Sequence, residues 1–270
     1  MNLFKIAFRR GIGEMITWSI IVGGLLAIAM FFYPSLGTEN IANALVERVT
    51  ALPHIIVQIF DLEALGGIVA ITHYFAYFFQ FAIVLSMLYA AILGAKTLAS
   101  EEGSGAIEFL FAQPITRKSI ARQKLIAAIF HYLIYCVIVS AISMAMLIIL
   151  DDEEGLKNLI FAMVPMSGGL FFSGLIYLCI GFFFSSFLRS NGEAIPIVLA
   201  LTVISIIIGF MGKIVTKFAF LEYISPIFYA APNNMMNHDI SVIQIIIGIA
   251  IIVLTIFGGR LIYKKKNFAN

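Results

Sequence analysis

Charged residues with the spacing of a recognition surface occur in one polar stretch, residues 101–124, between two long apolar runs. The stretch reads EEGSGAIEFLFAQPITRKSIARQK and combines acids at its start, an apolar patch over residues 107–111 and basic residues near its end. Pro114 interrupts it, because proline lacks the N–H that an interior helical position donates. Thr116 is the expected N-cap of a helix that follows. A helix, a break and a second helix are typical of a segment that contacts a partner.

Two explanations of this stretch remain open. A basic anchor that binds anionic lipid headgroups explains the four basic residues of its second half. It does not explain Glu101, Glu102 and Glu108, or the apolar residues packed between them. A helix that inserts into a groove of a soluble partner explains both, since apolar anchors on an amphipathic helix are the usual means of such docking.

No catalytic constellation is evident elsewhere in the sequence. The HExxH pair of a metalloprotease is absent, and the four histidines are scattered at His54, His73, His131 and His238. Neither a GxSxG serine elbow nor a GxxxxGK[ST] phosphate loop occurs. Cys136 and Cys179 lie in apolar runs and are interpreted as small hydrophobes. We therefore expect no catalytic residue, no metal site and no cofactor bound by this chain.

The composition indicates an integral membrane protein. Hydrophobic residues make up 61% and charged residues 12% of the 270 residues, against about 25% charged residues in soluble domains. Runs long enough to cross a bilayer predict one all-α transmembrane domain over residues 1–270. Its six expected spans are about 15–33, 66–94, 125–150, 160–187, 194–211 and 241–263.

The basic residues predict the orientation of these spans. Thirteen of the 17 lysines and arginines fall at the termini, in the segment 95–124 or in the turn 188–193. The positive-inside rule therefore predicts that both termini are cytoplasmic. Residues 1–14 mix apolar and basic side chains and are expected either to form an interfacial elbow helix or to act as a basic flank that only sets topology.

The cores of the six spans contain no Asp, Glu, Lys or Arg. Charges inside the membrane mark proton relays and ion paths, so their absence argues against a carrier driven by protons or sodium. On the second span, His73 and Gln80 share a face and Ser86 lies further round the helix. These three residues are expected either to line a translocation path or to make hydrogen bonds between helices.

The stretch E-x-x-x-G-x-I-E-F-L-x-x-x-P-I-T-R-x-x-I-x-x-x-K resembles the cytoplasmic segment of ABC transporter permeases of the type-2 exporter class. The resemblance implies an N-terminal amphipathic elbow helix, six spans and, over residues 95–124, a coupling helix that docks on a separate ATPase subunit. That subunit would bind ATP and Mg. The matching residues are Glu101, Glu102, Gly105, Glu108, Phe109, Leu110, Pro114, Arg117 and Lys124.

The resemblance also implies the function. We expect the permease subunit of an ATP-driven exporter in a bacterial cytoplasmic membrane, paired with a second copy or a related permease and surrounded by membrane lipid. The expected cargo is apolar or amphipathic, for example an antimicrobial or cytolytic peptide or a drug, and no nucleic acid partner is expected. The alternative is a membrane anchor or sensor that recruits a cytoplasmic partner without transport. The outer region 34–65 is expected to form either a small cap or an irregular loop.

Overall fold

The computed structural model describes residues 3–59, 62, 67–103, 116–150, 155–237, 239 and 241–266, and all regular elements of these residues are helical. The helices, in chain order, are α1 (Leu3–Phe31), α2 (Tyr33–Leu36), α3 (Glu39–Val49), α4 (His54–Ile59), α5 (Ile71–Gly103), α6 (Arg117–Leu150), α7 (Leu156–Ser185), α8 (Asn191–Ile214), α9 (Pro232–Met236) and α10 (Val242–Lys265). Two 3₁₀ segments, Thr216–Tyr223 and Pro226–Ala230, lie between α8 and α9.

Six of these helices are long and apolar enough to cross a membrane: α1, α5, α6, α7, α8 and α10. The shortest, α8 and α10, have 24 residues each. At 1.5 Å per residue they extend about 36 Å, which exceeds the roughly 30 Å of a hydrocarbon core. The predicted all-α, six-span architecture is confirmed.

The first span differs from the prediction. Helix α1 continues without a turn from Leu3 to Phe31, so residues 3–14 do not form an element separate from the span. An aromatic contact packs the start of α1 against α6: Phe4 lies edge-on to Phe130, with 5.9 Å between the ring centroids. Residues 3–14 and the first span thus belong to one helix of 29 residues, and the interfacial position of an elbow remains a prediction.

One of the helices beside the polar stretch is longer than predicted, because α5 continues to Gly103, whereas the second span was expected to end at 94. Helix α6 begins at Arg117, directly after the expected cap, and continues into the third span. Thr116 caps α6 as expected, because its Oγ1 accepts a hydrogen bond from the Ser119 N–H at 3.3 Å. The second predicted helix of the segment is thus the start of α6, whereas the first predicted helix and the break fall on residues 104–115, which lie outside the described part.

The bundle is built around α5, which makes its most extensive contact with α7. Glycines permit this close crossing. A Cβ at Gly94 would overlap the backbone carbonyl oxygen of Leu178, and a Cβ at Gly181 would lie 2.8 Å from the Ala95 nitrogen. Helix α1 packs mainly on α6. Close approach of small residues is a general means of helix association in membranes.

Short helices cover the end of the bundle opposite to Gly103 and Arg117. Region 34–65, expected to form a small cap or an irregular loop, contains the helices α3 and α4, in which Ala42 and Val57 are buried. Tyr33 ties this region to the start of α5 by donating a hydrogen bond to the Val69 carbonyl at 2.7 Å. Helices α8 and α10 lie at the periphery, where large apolar side chains such as Leu254 are exposed on the bundle surface.

Candidate functional site

Hydrogen bonds bring the ends of the six long helices together at one end of the bundle, here called the basic end. The Phe4 N–H donates to Gln123 at 3.4 Å, and Lys96 pairs with Glu14 at 2.6 Å. These contacts join the start of α1, the end of α5 and the start of α6. The end of α10 joins them through Lys266, because its carbonyl accepts from Arg117 at 2.7 Å.

The Lys266 ammonium also donates to the Leu188 carbonyl at 2.8 Å, so the turn between α7 and α8 lies at the same end. Ser190 caps α8 by accepting from the Glu193 N–H at 3.3 Å, and Glu193 accepts in return from the Arg189 N–H at 3.1 Å. The basic end carries Lys5, Arg9, Arg10, Lys96, Arg117, Lys118, Arg122, Lys124, Arg189, Arg260, Lys264, Lys265 and Lys266. The charge asymmetry of the sequence is therefore an asymmetry of the folded bundle.

The structure describes two of the predicted coupling residues in full. Arg117 is partly buried and binds the Lys266 carbonyl, so it holds the end of α10. Lys124 is 6% exposed and faces the interior between helices, not the outer surface. Glu101 and Glu102 lie in the last turn of α5, but their side chains are outside the described part. The remaining residues are also outside it: Gly105, Glu108, Phe109, Leu110 and Pro114.

A polar cavity of about 400 Å³ lies between α1, α5, α6 and the first residue of α8 at the basic end. We call it the basic-end cavity. Its charged and polar lining consists of Arg10, Glu14, Lys96, Thr97, Ser100, Lys124, His131 and Asn191. Sequence reasoning missed this cavity. The available signals were the i, i+4 spacing of Arg10 and Glu14 and the i, i+7 spacing of Lys124 and His131, each of which places two polar residues on one helix face.

The three predicted path residues are not brought together. His73 is exposed near the start of α5, whereas Ser86 is fully buried 13 residues later, about 20 Å along the helix axis. Ser86 donates to the Ala82 carbonyl at 2.6 Å and contacts the Tyr135 hydroxyl at 2.7 Å. The Gln80 Nε2 is buried and has no hydrogen-bond partner among the described residues. Their role in a translocation path remains a prediction.

An aromatic cluster that sequence reasoning also missed fills the interface of α5 and α6. Tyr89 packs against Tyr135 with 4.8 Å between ring centroids and against Trp18 of α1 at 5.5 Å. Tyr132 lies in the same cluster and donates to the Leu170 carbonyl of α7 at 3.0 Å. Gly174 permits this approach, because a Cβ there would overlap the Tyr132 ring. The cluster connects four of the long helices through buried rings.

An apolar cavity of about 260 Å³ lies towards the other end, between α7, α9 and α10. Phe172 and Met235 line it together with Tyr229, which lies outside the spans in the second 3₁₀ segment. Burial raises the pKa of Tyr229 to about 12, so the phenol stays neutral at physiological pH. Its hydroxyl donates to the Tyr223 carbonyl, which fixes one wall of the cavity.

A six-span helical bundle with its basic residues gathered at one end has the architecture of a multi-pass membrane permease. The sequence matches the family model described as ABC-2 family transporter protein over residues 1–267, and the chain belongs to this family. A search of curated proteins found no match. The chain is thus a permease subunit of an ABC transporter, a component that is normally not catalytic itself and that works with an ABC ATPase subunit, generally as a dimer.

Proposed function

We propose that this permease is the membrane subunit of an ATP-driven exporter that moves an apolar or amphipathic cargo out across the bacterial cytoplasmic membrane. A separate ATPase subunit supplies the energy, and the permease pairs with a second copy or a related permease. The observation that carries the proposal is the family match over residues 1–267, combined with the gathering of six helix ends at the basic end.

The basic end faces the cytosol in this proposal. The four other basic residues, Arg48, Lys157, Lys213 and Lys217, lie towards the opposite end. An excess of lysine and arginine on the cytoplasmic side is the strongest sequence-level determinant of topology. Both described ends of the chain, at Leu3 and Lys266, belong to the basic end, so both termini are cytoplasmic in this orientation.

Residues 101–124 form the contact with the ATPase. Two features support this assignment. Helices α5 and α6 have 33 and 34 residues, about 50 Å each, so they reach well beyond the hydrocarbon core of roughly 30 Å. The last described residue of α5, Gly103, and the first residue of α6, Arg117, therefore lie at the basic end. ATP and Mg bind in the ATPase, and nucleotide shifts the population of permease conformations through its different affinity for the ATPase states.

One observation supports the proposed cargo class. The cavity of about 260 Å³ between α7, α9 and α10 is lined mainly by apolar side chains. Such surfaces favour an antimicrobial or cytolytic peptide, or a drug, over a strongly hydrophilic cargo. A deletion strain that becomes sensitive to one member of a peptide panel supports this cargo class, and unchanged tolerance to the whole panel contradicts it.

Co-purification tests the proposal directly. The full-length permease is purified in mild detergent from its native membrane, and the proteins that accompany it are identified by mass spectrometry. We expect an ATPase with a phosphate-binding loop to accompany the wild type and to be lost from Glu108→Lys. Glu47→Lys is the matched control, because it makes the same charge reversal on the exposed side of α3 at the opposite end.

Retention of the ATPase by Glu108→Lys and Phe109→Asp, both at normal expression, contradicts docking through this segment. Purification of the permease without any ATPase contradicts the exporter proposal and favours the alternative, a membrane anchor or sensor.

A further inference from the structure

A groove opens at the basic end between the start of α6 and the end of α10, and we call it the α6–α10 groove. Its volume is about 410 Å³. The hydrogen bond from Arg117 to the Lys266 carbonyl, at 2.7 Å, holds the two helix ends together beside it. Its lining shares no residue with that of the basic-end cavity and consists of Thr116, Lys118, Ser119, Arg122, Phe257, Arg260, Leu261 and Lys264.

Four cations line the groove, two from each helix. Lys118 and Arg122 lie one helical turn apart on α6, and Arg260 and Lys264 lie one turn apart on α10. All four are exposed, and none forms an ion pair with another residue that the structure describes. The lining includes no carboxylate. Because like charges on two packed helices repel one another, an anion between them is favoured.

The first turn of α6 adds to this positive field. The N-terminus of a helix carries a partial positive charge, so acids are the favoured side chains there. The first turn of α6 contains Arg117 and Lys118 instead, and no acid. Ser119 lines the groove at the same turn. Its Oγ accepts a hydrogen bond from Gln123 at 3.0 Å, which leaves the hydroxyl proton available for a ligand.

The part of the groove that lies deeper in the span is apolar. Phe257 and Leu261 are 63% and 45% exposed on the surface of the bundle. Phe257 precedes Lys264 by two helical turns, about 10 Å along the axis towards the membrane centre. Leu254, also exposed, continues this face one turn further. Cations at the helix ends and apolar side chains below them match the order of headgroup and acyl chains in a lipid molecule.

We propose that the α6–α10 groove binds one anionic phospholipid of the leaflet at the basic end. The guanidinium groups of Arg122 and Arg260 bind the phosphate oxygens, and the ammonium groups of Lys118 and Lys264 add point charges. The acyl chains lie along the apolar wall. Basic pockets between transmembrane helices are general sites for anionic headgroups. Soluble phosphate would occupy only the upper part of the groove, whereas a lipid occupies both parts.

The test measures lipid binding by the full-length permease alone. The protein is delipidated in detergent, titrated with phosphatidylglycerol or phosphatidylcholine, and analysed by native mass spectrometry, which resolves the protein with and without bound lipid. We expect one phosphatidylglycerol to bind saturably. Phosphatidylcholine with the same acyl chains should bind roughly tenfold more weakly, because its choline group compensates the phosphate charge.

Competitors separate the lipid from a soluble anion. Inorganic phosphate and glycerophosphoglycerol, the phosphatidylglycerol headgroup without acyl chains, are added at constant ionic strength. Neither should displace the bound lipid at the lipid's own concentration, because neither contacts the apolar wall. Displacement by either compound assigns the groove to a soluble anion and contradicts the lipid proposal.

Matched variants locate the site. Arg260→Gln and Lys264→Gln should each weaken phosphatidylglycerol binding about fivefold, which corresponds to about 1 kcal/mol per basic residue near an anionic surface. Lys265→Gln removes the same charge from the next residue of α10, which is exposed and is not part of the groove lining. Arg9→Gln is the arginine control on α1 at the same end. Both controls should stay within about twofold of the wild type.

Three results overturn the proposal. The first is no saturable binding of phosphatidylglycerol by the folded wild type, and the second is an equal loss of affinity in Lys264→Gln and Lys265→Gln. The third is unchanged lipid binding by Arg260→Gln and Lys264→Gln together with loss of the co-purifying ATPase, which assigns the groove to the ATPase contact. Because the lipid titration contains no ATPase, its failure leaves the exporter assignment intact. Loss of the ATPase from Glu108→Lys likewise leaves the lipid site intact.

Discussion

Phe8 and His131 stack face to face, with 4.5 Å between their ring centroids and 9° between their planes. Phe8 lies in the second turn of α1, and His131 lies fourteen residues into α6. Stacked aromatic pairs contribute roughly 0.5–1.5 kcal/mol beyond the area that they bury. This pair therefore holds the start of α1 against α6 and orients the imidazole that lines the basic-end cavity.

Gly11→Ala should destabilise the protein, because the new Cβ would lie 2.7 Å from Cε1 of His131. The ring cannot move away freely while Phe8 stacks on it. We expect a loss of roughly 1–3 kcal/mol, as for other overpacked sites. Gly13→Ala is the control on the same helix, since nothing lies within 4 Å of its Cβ position. Thermal unfolding in detergent checks both, and equal midpoints would contradict the close packing of α1 on α6.

Gly94→Ala should destabilise the protein more than Gly11→Ala does. The added methyl group would overlap the backbone carbonyl of Leu178, and backbone has no alternative rotamer. Separation of α5 from α7 is then the only relief, so we expect a loss of roughly 3 kcal/mol or more and reduced expression. Gly168→Ala on α7 has open space around its Cβ and should be neutral. A Gly94→Ala variant with wild-type unfolding would show that the two helices cross elsewhere.

Ser86→Ala and Tyr135→Phe should have unequal effects, although they remove the same hydrogen bond. Ser86 donates to the Ala82 carbonyl, so Tyr135 must donate to Ser86. Ser86→Ala leaves the buried Tyr135 hydroxyl unpaired at a cost of roughly 1–3 kcal/mol, whereas Tyr135→Phe leaves the Ser86 bond intact. The stability of the double variant should be close to that of Tyr135→Phe. A Tyr135→Phe variant that is less stable than Ser86→Ala would reverse this assignment of donors.

Gln80→Leu separates a packing role from a role in the translocation path. Its Nε2 is buried without a partner among the described residues, so removal of the amide should leave the unfolding temperature unchanged or raise it. Transport should nevertheless fall several-fold if Gln80 contacts cargo. Ser143→Ala is the control, because it removes from α6 another buried polar atom that has no hydrogen-bond partner within the described part of the chain. Transport is measured with the ATPase complex in proteoliposomes, and wild-type transport by both variants places Gln80 outside the path.

Arg117→Ala should loosen the end of α10, since its guanidinium holds the Lys266 carbonyl. Loss of this bond should cost roughly 1.5–3 kcal/mol of stability, the typical contribution of a hydrogen bond that involves a charged group. Hydrogen exchange of the peptide that contains residues 260–266 should increase, and the exposed neighbour Lys118→Ala should not change it. A severe transport defect with only this structural effect would indicate that Arg117 also contacts the ATPase.

The long apolar runs determined six helices, because a chain segment in lipid must satisfy its backbone hydrogen bonds internally. The placement of lysines and arginines likewise determined which helix ends share a side, a pattern that the contacts of Lys96 and Lys266 reproduce. Local chemistry also sufficed for the Thr116 cap, because an N-cap depends only on residues within one turn. These features follow from composition and from neighbours in sequence.

Only the tertiary structure decided which faces of the helices meet. Apolar residues are spread almost evenly around α5, α7 and α10, so hydropathy selects no inward face. The rotation of each helix follows from steric fit, such as the crossing at Gly94 and Gly181. The basic-end cavity depends on these rotations, because Arg10, Lys96 and Lys124 come from three helices separated by long stretches of chain. Their convergence is a property of packing, and no local pattern encodes it.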